Sequence, residues 1–137
     1  MKVTLALLAD FANKAVDGKL NVLGVFNTIF AEKFPAVHPE MKLVIRFELH
    51  PAEMEEPKKV QIRLVDAQGT KIFELSGEMK VQAPPGEGPR GEMFHYDNIL
   101  SMNGLPIQAP GDYEFVILVN GEVKALVPLK AVVRSRA

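Results

Sequence analysis

The segment from Gly111 to Val133 constrains the fold more than any other part of the chain. Two apolar runs flank the dipeptide Asn120-Gly121 within it. Two such runs around Asn-Gly are the strongest short-range signal for a β-hairpin. The segment therefore predicts two antiparallel strands near the end of the chain.

The length of the hairpin loop decides which side chains share a face. A two-residue loop would pair Ile117 with Lys124, whereas a three-residue loop over 119–121 pairs Phe115 with Ala125. A change of one residue exchanges the two faces of a strand. The burial pattern favours the three-residue loop, with its glycine at positive φ.

Shorter alternating runs with turn signals between them fill the rest of the chain. Met41 to Leu49 alternates apolar with mostly polar residues, and a second hairpin is predicted around Asp66 to Gly69. About eight strands at this spacing are typical of a sandwich or barrel. We expect one domain over residues 1–137, folded as an antiparallel β-sandwich of Ig-like or similar type.

Four segments are less regular. Asp10 to Val16 could form one helical turn, and Leu20 to Ala31 reads as one long strand. Phe34 to Pro39 contains two prolines, which predicts a connection outside the regular ladder. Gln82 to Glu92 is rich in proline and glycine, which predicts a mobile loop.

The composition excludes several classes of function. The 137 residues carry a formal net charge of −1 and no cysteine, so we expect no nucleic-acid partner, no disulfide and no thiolate metal site. The apolar run Val3 to Ala9 ends at Asp10, and no stretch approaches the ~20 apolar residues of a membrane span. We expect a cytoplasmic protein with no membrane partner and no cofactor.

The candidate chemical groups lie far apart in the sequence. His38, His50 and His95 occupy three separate segments without the close spacing of metal ligands, so no metal site is predicted. The pattern favours a non-enzymatic binding or assembly module. The alternative is a hydrolase-type enzyme or a small-ligand binder that uses the surface of residues 82–97 together with His38 and His95.

The proline- and glycine-rich loop and the residues after it form the candidate binding surface. Its members are Arg90, Glu92, His95, Tyr96 and Asp97. Irregular loops on a rigid β-framework often carry binding residues, although a linker without function fits the same composition. The partner could be a protein or a small molecule.

A homodimer is a further expectation. Val116, Leu118 and Leu126 lie on the face of the last hairpin that should see water. An exposed apolar patch often marks a contact site, and a two-fold dimer is the commonest assembly. The candidate dimer contact is therefore this outer face.

Several short motifs resemble those of a known family. They are Leu8-Ala9-Asp10-Phe11-Ala12, Asp17-Gly18-Lys19-Leu20-Asn21-Val22-Leu23-Gly24-Val25-Phe26, Phe34-Pro35-Ala36-Val37-His38-Pro39, Pro110-Gly111-Asp112-Tyr113-Glu114-Phe115 and the Asn120-Gly121 turn. With these motifs the chain resembles an uncharacterised bacterial family of small all-β cytoplasmic domains. The resemblance implies one domain and a β fold. It implies no activity, cofactor or catalytic residue.

Overall fold

The computed structural model describes residues 1–81 and 93–135, and nine β-strands lie in this range. They are β1 (Lys2–Lys14), β2 (Leu20–Phe26), β3 (Thr28–Ala31), β4 (Ala36–Leu49), β5 (Lys58–Asp66), β6 (Lys71–Met79), β7 (Phe94–Ile107), β8 (Gly111–Val119) and β9 (Glu122–Val133). A short 3₁₀ turn, Pro51–Glu53, follows β4, and the described residues contain no α-helix. The predicted loop 82–92 lies outside the described residues.

The strands form two sheets that pack face to face. Sheet A has the order β2-β1-β4-β7, and sheet B has the order β3-β9-β8-β5-β6. One cluster of buried apolar side chains fills the space between them, so the predicted β-sandwich is confirmed. One strand pair differs from the antiparallel expectation. The chain leaves sheet A directly after β2, and β3 then runs parallel to β9 in sheet B.

The strand β4 supplies the central row of the core. The alternating residues predicted to face inward are all buried: Met41, Leu43, Ile45, Phe47 and Leu49. Phe115 and Ile117 of β8 meet them from sheet B and are buried as well. Full burial of each side chain of this size contributes about 1.5–3 kcal/mol, so the period-two pattern of β4 and β8 accounts for much of the sandwich.

The loop of the last hairpin has two residues, so the three-residue prediction is wrong. Val119 pairs with Glu122 across Asn120-Gly121. The loop residues have φ values of 49° and 81°, and positive φ at both positions defines a type I′ turn. That turn matches the twist of the flanking strands better than the longer loop.

A β-bulge restores the apolar face that the two-residue loop would otherwise lose. After the first pairs, Ile117 lies opposite Ala125 and Phe115 opposite Val127, which leaves Lys124 outside the ladder. An extra residue in one strand reverses the direction of the side chains that follow. The bulge therefore leaves Phe115 and Ile117 on one face with Ala125 and Val127, as predicted, although Phe115 does not pair with Ala125. Val123, predicted on the same face, instead lies opposite Leu118 and is 51% exposed.

The first hairpin also differs from expectation. β1 continues to Lys14 and pairs with β2 over its whole second half, so the helical turn predicted for residues 10–16 is wrong. Cross-strand hydrogen bonds satisfy the backbone there and leave no role for a helix. Gly24 has a φ of 71° opposite Asp10, and an added Cβ would lie 2.5 Å from the Oδ2 atom of that carboxylate.

The long strand predicted for residues 20–31 is divided between the two sheets. The chain crosses from sheet A to sheet B at Asn27, whose carbonyl accepts the N–H of Lys130 at 2.7 Å. Beyond the crossing, Ile29 joins the common core. Both halves are strands, so the apolar pattern of the sequence continues across Asn27. The change of sheet therefore cannot be seen in the sequence.

The predicted connection at residues 34–39 overlaps β4. His38 pairs with Leu105 and Glu40 with Asn103, on either side of Pro39. The proline interrupts the ladder at one position only, opposite Gly104. Strand pairing on both sides of it outweighs the local loss of one donor.

Some apolar residues on the outer faces of the sheets are covered by the chain itself. Val44 is fully buried, although it lies on the outer face of sheet A. Leu7 of β1 and Ile99 of β7 flank it in register. A second subunit is therefore not needed to cover Val44.

Candidate functional site

The structure divides the candidate binding surface between two faces. His95, Tyr96 and Asp97 are consecutive residues at the start of β7, so their side chains alternate in direction. His95 and Asp97 lie on the outer face of sheet A, opposite Glu48 and Arg46. Tyr96 faces the other way, and Arg90 and Glu92 lie outside the described residues.

Asp97 forms a two-point ion pair with Arg46. The Nε atom of Arg46 donates to Oδ1 at 2.7 Å, and its Nη2 atom donates to Oδ2 at 3.0 Å. The hydrogen bond from Arg46 lowers the pKa of Asp97, and the charges of Arg46, Lys14 and His95 add to that effect. The same bond raises the pKa of Arg46. Both groups stay charged near neutral pH, which suits a structural pair better than a general acid or base.

The histidines do not converge. His95 lies 3.3 Å from Glu48 at the surface, whereas the ring of His38 packs against Phe26 at a centroid distance of 5.7 Å. His38 pairs with Leu105, ten residues beyond His95 along β7, which corresponds to roughly 33 Å of strand. These two side chains cannot act on one small substrate in this fold.

The third histidine has a local structural role. The Nδ1 atom of His50 accepts the backbone N–H of Ala52 at 3.1 Å and caps the 3₁₀ turn. Across residues 1–81 and 93–135, no three His, Cys, Asp or Glu side chains are grouped to hold a metal ion. The described residues therefore group no such metal ligands, and His38 lies far from His50 and His95.

An open groove separates the edges of the two sheets at β6 and β7. Its volume is about 250 Å³. Its apolar lining includes Leu75 and Tyr96, which point toward the sandwich interior yet are 46% and 38% exposed. Gly77 leaves further space, because no atom lies within 4 Å of a Cβ added there. The sequence could not reveal the groove, since it depends on β6 and β7 being edges on the same side.

A larger depression of about 500 Å³ lies at one end of sheet B. Asp66, Asp112, Glu114 and Lys130 line part of it. Asp66 Oδ1 already accepts two backbone N–H groups of its own turn, at 3.0 and 2.9 Å. This carboxylate therefore shapes a loop.

The outer face of the last hairpin is only partly exposed. Leu126 is 53% and Val123 51% exposed, whereas Leu118 is 5% exposed. Val116 is half-buried between them. Of the three predicted contact residues, Leu126 offers most surface to a partner, and Val123, which was expected on the inner face, is an exposed neighbour.

The fold is an all-β sandwich, and its described residues do not bring His38, His50 and His95 together. A model of one family, described as a family of unknown function (DUF6941), matches residues 4–132. The chain belongs to this family, which agrees with the resemblance to an uncharacterised domain family. No curated protein matches the chain.

One similar solved structure is a β-glucuronidase from glycoside hydrolase family 2. The two chains are 14% identical with a TM-score of 0.39, and the match covers 70% of this chain and 11% of the enzyme. A likeness of this size carries no argument about function. No helix within the described ranges is long and apolar enough to cross a membrane.

Proposed function

We propose that this chain is a non-enzymatic binding module of the bacterial cytoplasm that assembles with a second copy through the outer face of its last hairpin. The observation that carries the proposal is the exposure of Leu126 and Val123 on the outer face of β9. Side chains of this size are usually withdrawn from water when a partner is present. Half-buried Val116 extends the apolar surface next to them.

An Ig-like arrangement of strands fits a binding role. β4 and β7 are neighbours in one sheet, and β5, β8 and β9 are neighbours in the other, as strands B, E, C, F and G are in that fold. The hydroxyl of Tyr113 donates to the carbonyl of Ala109. A tyrosine at the start of strand F makes a similar bond in Ig-like domains. These likenesses support a framework that presents surfaces to partners.

The enzyme alternative has less support. His38 and His95 are separated by most of the length of β7, and Asp97 is held by Arg46. A general base must come within hydrogen-bond reach of its substrate together with its partner groups. His95 and Glu48 lie 3.3 Å apart at the surface, but His38 lies far from that pair.

The test uses two substitutions on β9. Leu126→Glu places a charge at the centre of the proposed contact and should reduce the mass of the assembly by half in multi-angle light scattering. Val133→Glu is the matched control, since Val133 lies on the same strand and is 52% exposed. Leu118→Glu is a poor test, because a charge at that buried position would destabilise the fold. An unchanged mass for folded Leu126→Glu would contradict the proposed contact.

A further inference from the structure

The described part of the sandwich has four edge strands. Sheet A ends in β2 and β7, and sheet B ends in β3 and β6. An edge strand presents unpaired backbone N–H and C=O groups that can pair with another chain. Proteins usually protect such edges by keeping them short, bulged, kinked or charged.

Three of the four edges carry protection of this kind. β3 has only four residues. β6 has a register shift that leaves Ile72 outside the ladder, and it carries the charged residues Lys71, Glu74 and Glu78. β2 contains Gly24, whose φ of 71° departs from extended geometry.

From Phe94 to Asn103 the edge of β7 lacks these features; Gly104, with a φ of 69°, and Pro106 lie beyond that segment. It has 14 residues, and its register with β4 runs without a shift from Phe94 to Asn103. No lysine or arginine lies on it, and the carboxylate of Asp97 is occupied by Arg46. Among the described residues, β7 pairs with β4 alone. The open groove beside it exposes Tyr96, so both backbone and apolar side chains are presented on this side.

The sequence of β7 is compatible with itself in an antiparallel pair. A two-fold axis at Asn98 places the following residues of the two copies opposite each other: Phe94 and Met102, His95 and Ser101, Tyr96 and Leu100, Asp97 and Ile99, and Asn98 with itself. No like charges meet. At the inward positions, the two pairs that flank the axis join apolar side chains, and the pair on the axis joins two amides. A register centred on Asp97 would instead oppose two carboxylates, which is unfavourable.

We infer that β7 pairs with β7 of a second copy across a two-fold axis at Asn98, so that sheet A continues from one subunit into the next. The occupant of the edge is thus another copy of this chain. Tyr96 would then pack against Leu100 of the partner subunit and cover the exposed end of the groove. Side-chain amides at the axis can hydrogen-bond to each other, as cross-strand pairs do.

This inference is independent of the contact proposed for the last hairpin. The outer face of β9 and the edge of β7 belong to different sheets. A subunit with two distinct two-fold contacts can close into a tetramer of D₂ symmetry, which is a common assembly. With both contacts the wild type would contain four subunits, and with the β7 contact alone it would contain two.

The experiment uses opposite charges at the axis. In Asn98→Lys two ammonium groups face each other, and in Asn98→Asp two carboxylates do. Each variant alone should weaken the β7 contact by at least about tenfold and halve the mass of the assembly in light scattering. A mixture of the two variants should restore the wild-type mass, because each lysine then faces an aspartate.

A matched control lies on β2, the other edge strand of sheet A. Asn21 is an exposed asparagine of β2 that bonds Asn13, and Asn21→Lys should leave the mass unchanged. A monomeric wild type, an unaltered mass for Asn98→Lys, or no recovery on mixing would each overturn the inference. Failure of the hairpin contact alone looks different, since Leu126→Glu would then be silent while Asn98→Lys still halves the mass.

Folding of the variants is checked by thermal unfolding. If Asn98→Lys does not fold, hydrogen exchange of the wild type gives the answer. The outward amides of β7 should exchange more slowly as protein concentration rises, because pairing removes them from water. Exchange that is independent of concentration would overturn the inference.

Discussion

The sequence places Asp97 in the candidate binding surface, whereas in the structure its carboxylate is paired with Arg46. Its side chain is almost fully buried beside the partly exposed guanidinium of Arg46. A carboxylate that accepts two N–H groups from one arginine is held in a fixed geometry and stays ionised. Its role is to anchor β7 to β4, which places the residues around it on the edge of the sheet.

The ion pair makes stability depend on pH. The pKa of Asp97 is lowered in the folded state, so the pair stabilises the fold above the unfolded value of about 3.9 and is lost as pH falls through the folded value. We expect Asp97→Asn to reduce the free energy of unfolding by about 1–3 kcal/mol at pH 7, and the difference from wild type should shrink below pH 4 or so.

Urea unfolding at a series of pH values measures this difference. Glu122→Gln removes a pair between Lys124 and a largely exposed carboxylate, and we expect no resolvable effect from it. A difference for Asp97→Asn that is the same at pH 3 and pH 7 would contradict the assignment.

Gly24 allows close contact between β1 and β2. Its φ is 71°, and an added Cβ would meet the carboxylate of Asp10 at 2.5 Å. We expect Gly24→Ala to destabilise the fold by about 1–3 kcal/mol, because strain in the backbone adds to the steric conflict. Gly77→Ala is the matched control, since no atom lies within 4 Å of its added Cβ. Chemical denaturation of both variants makes the comparison, and equal effects would argue against strain at Gly24.

At the scale of elements, the last hairpin is held by more than its turn. The Oδ1 atom of Asn120 accepts the N–H of Lys59 at 2.9 Å, and the Asn120 N–H donates to the Lys59 carbonyl at 2.8 Å. The turn between β8 and β9 is thereby tied to the start of β5. The same residue supplies the positive φ and the link to a neighbouring strand.

Substitution of Asn120 should separate these contributions. Asn120→Ala loses the side-chain acceptor and tolerates positive φ less well, so we expect a loss of about 1–2 kcal/mol in stability. Asn120→Asp keeps an acceptor and a residue that visits this conformation, and it should retain most of the stability. The measurement is the unfolding midpoint in urea. Identical losses for the two variants would show that the bond to Lys59 contributes nothing.

The two lateral sides of the whole molecule are unlike. On one side the chain passes from β2 to β3 and bridges the two sheets at Asn27. On the other side β6 and β7 leave a groove between them. Among the described residues, the crossing at Asn27 bridges the first side, whereas the groove on the second side exposes inward-facing side chains. The association that we propose for the β7 edge would use this second side.

Sequence reading recovered the elements better than the site. Met41 to Leu49 is buried as its alternation predicts, because the period of a strand is a local property. The grouping of His95, Tyr96 and Asp97 into one surface fails for the same reason, since neighbours on a strand face opposite ways. The burial of Leu118 was also not predictable, because it depends on the neighbouring strand β5, where Gln61 lies opposite it.

The sequence by itself determined the alternating strand Met41 to Leu49, the position of the Asn120-Gly121 turn and the all-β class, since each depends on residues close together in the chain. Only the tertiary structure decided the order of strands, the crossing at Asn27 and the bulge at Lys124. These depend on which distant strands bury one another's faces, and the pairing free energy is summed over whole sheets. The groove and the edge of β7, which is unpaired among the described residues, belong to this second group, because an edge exists only once the other strands have found their neighbours.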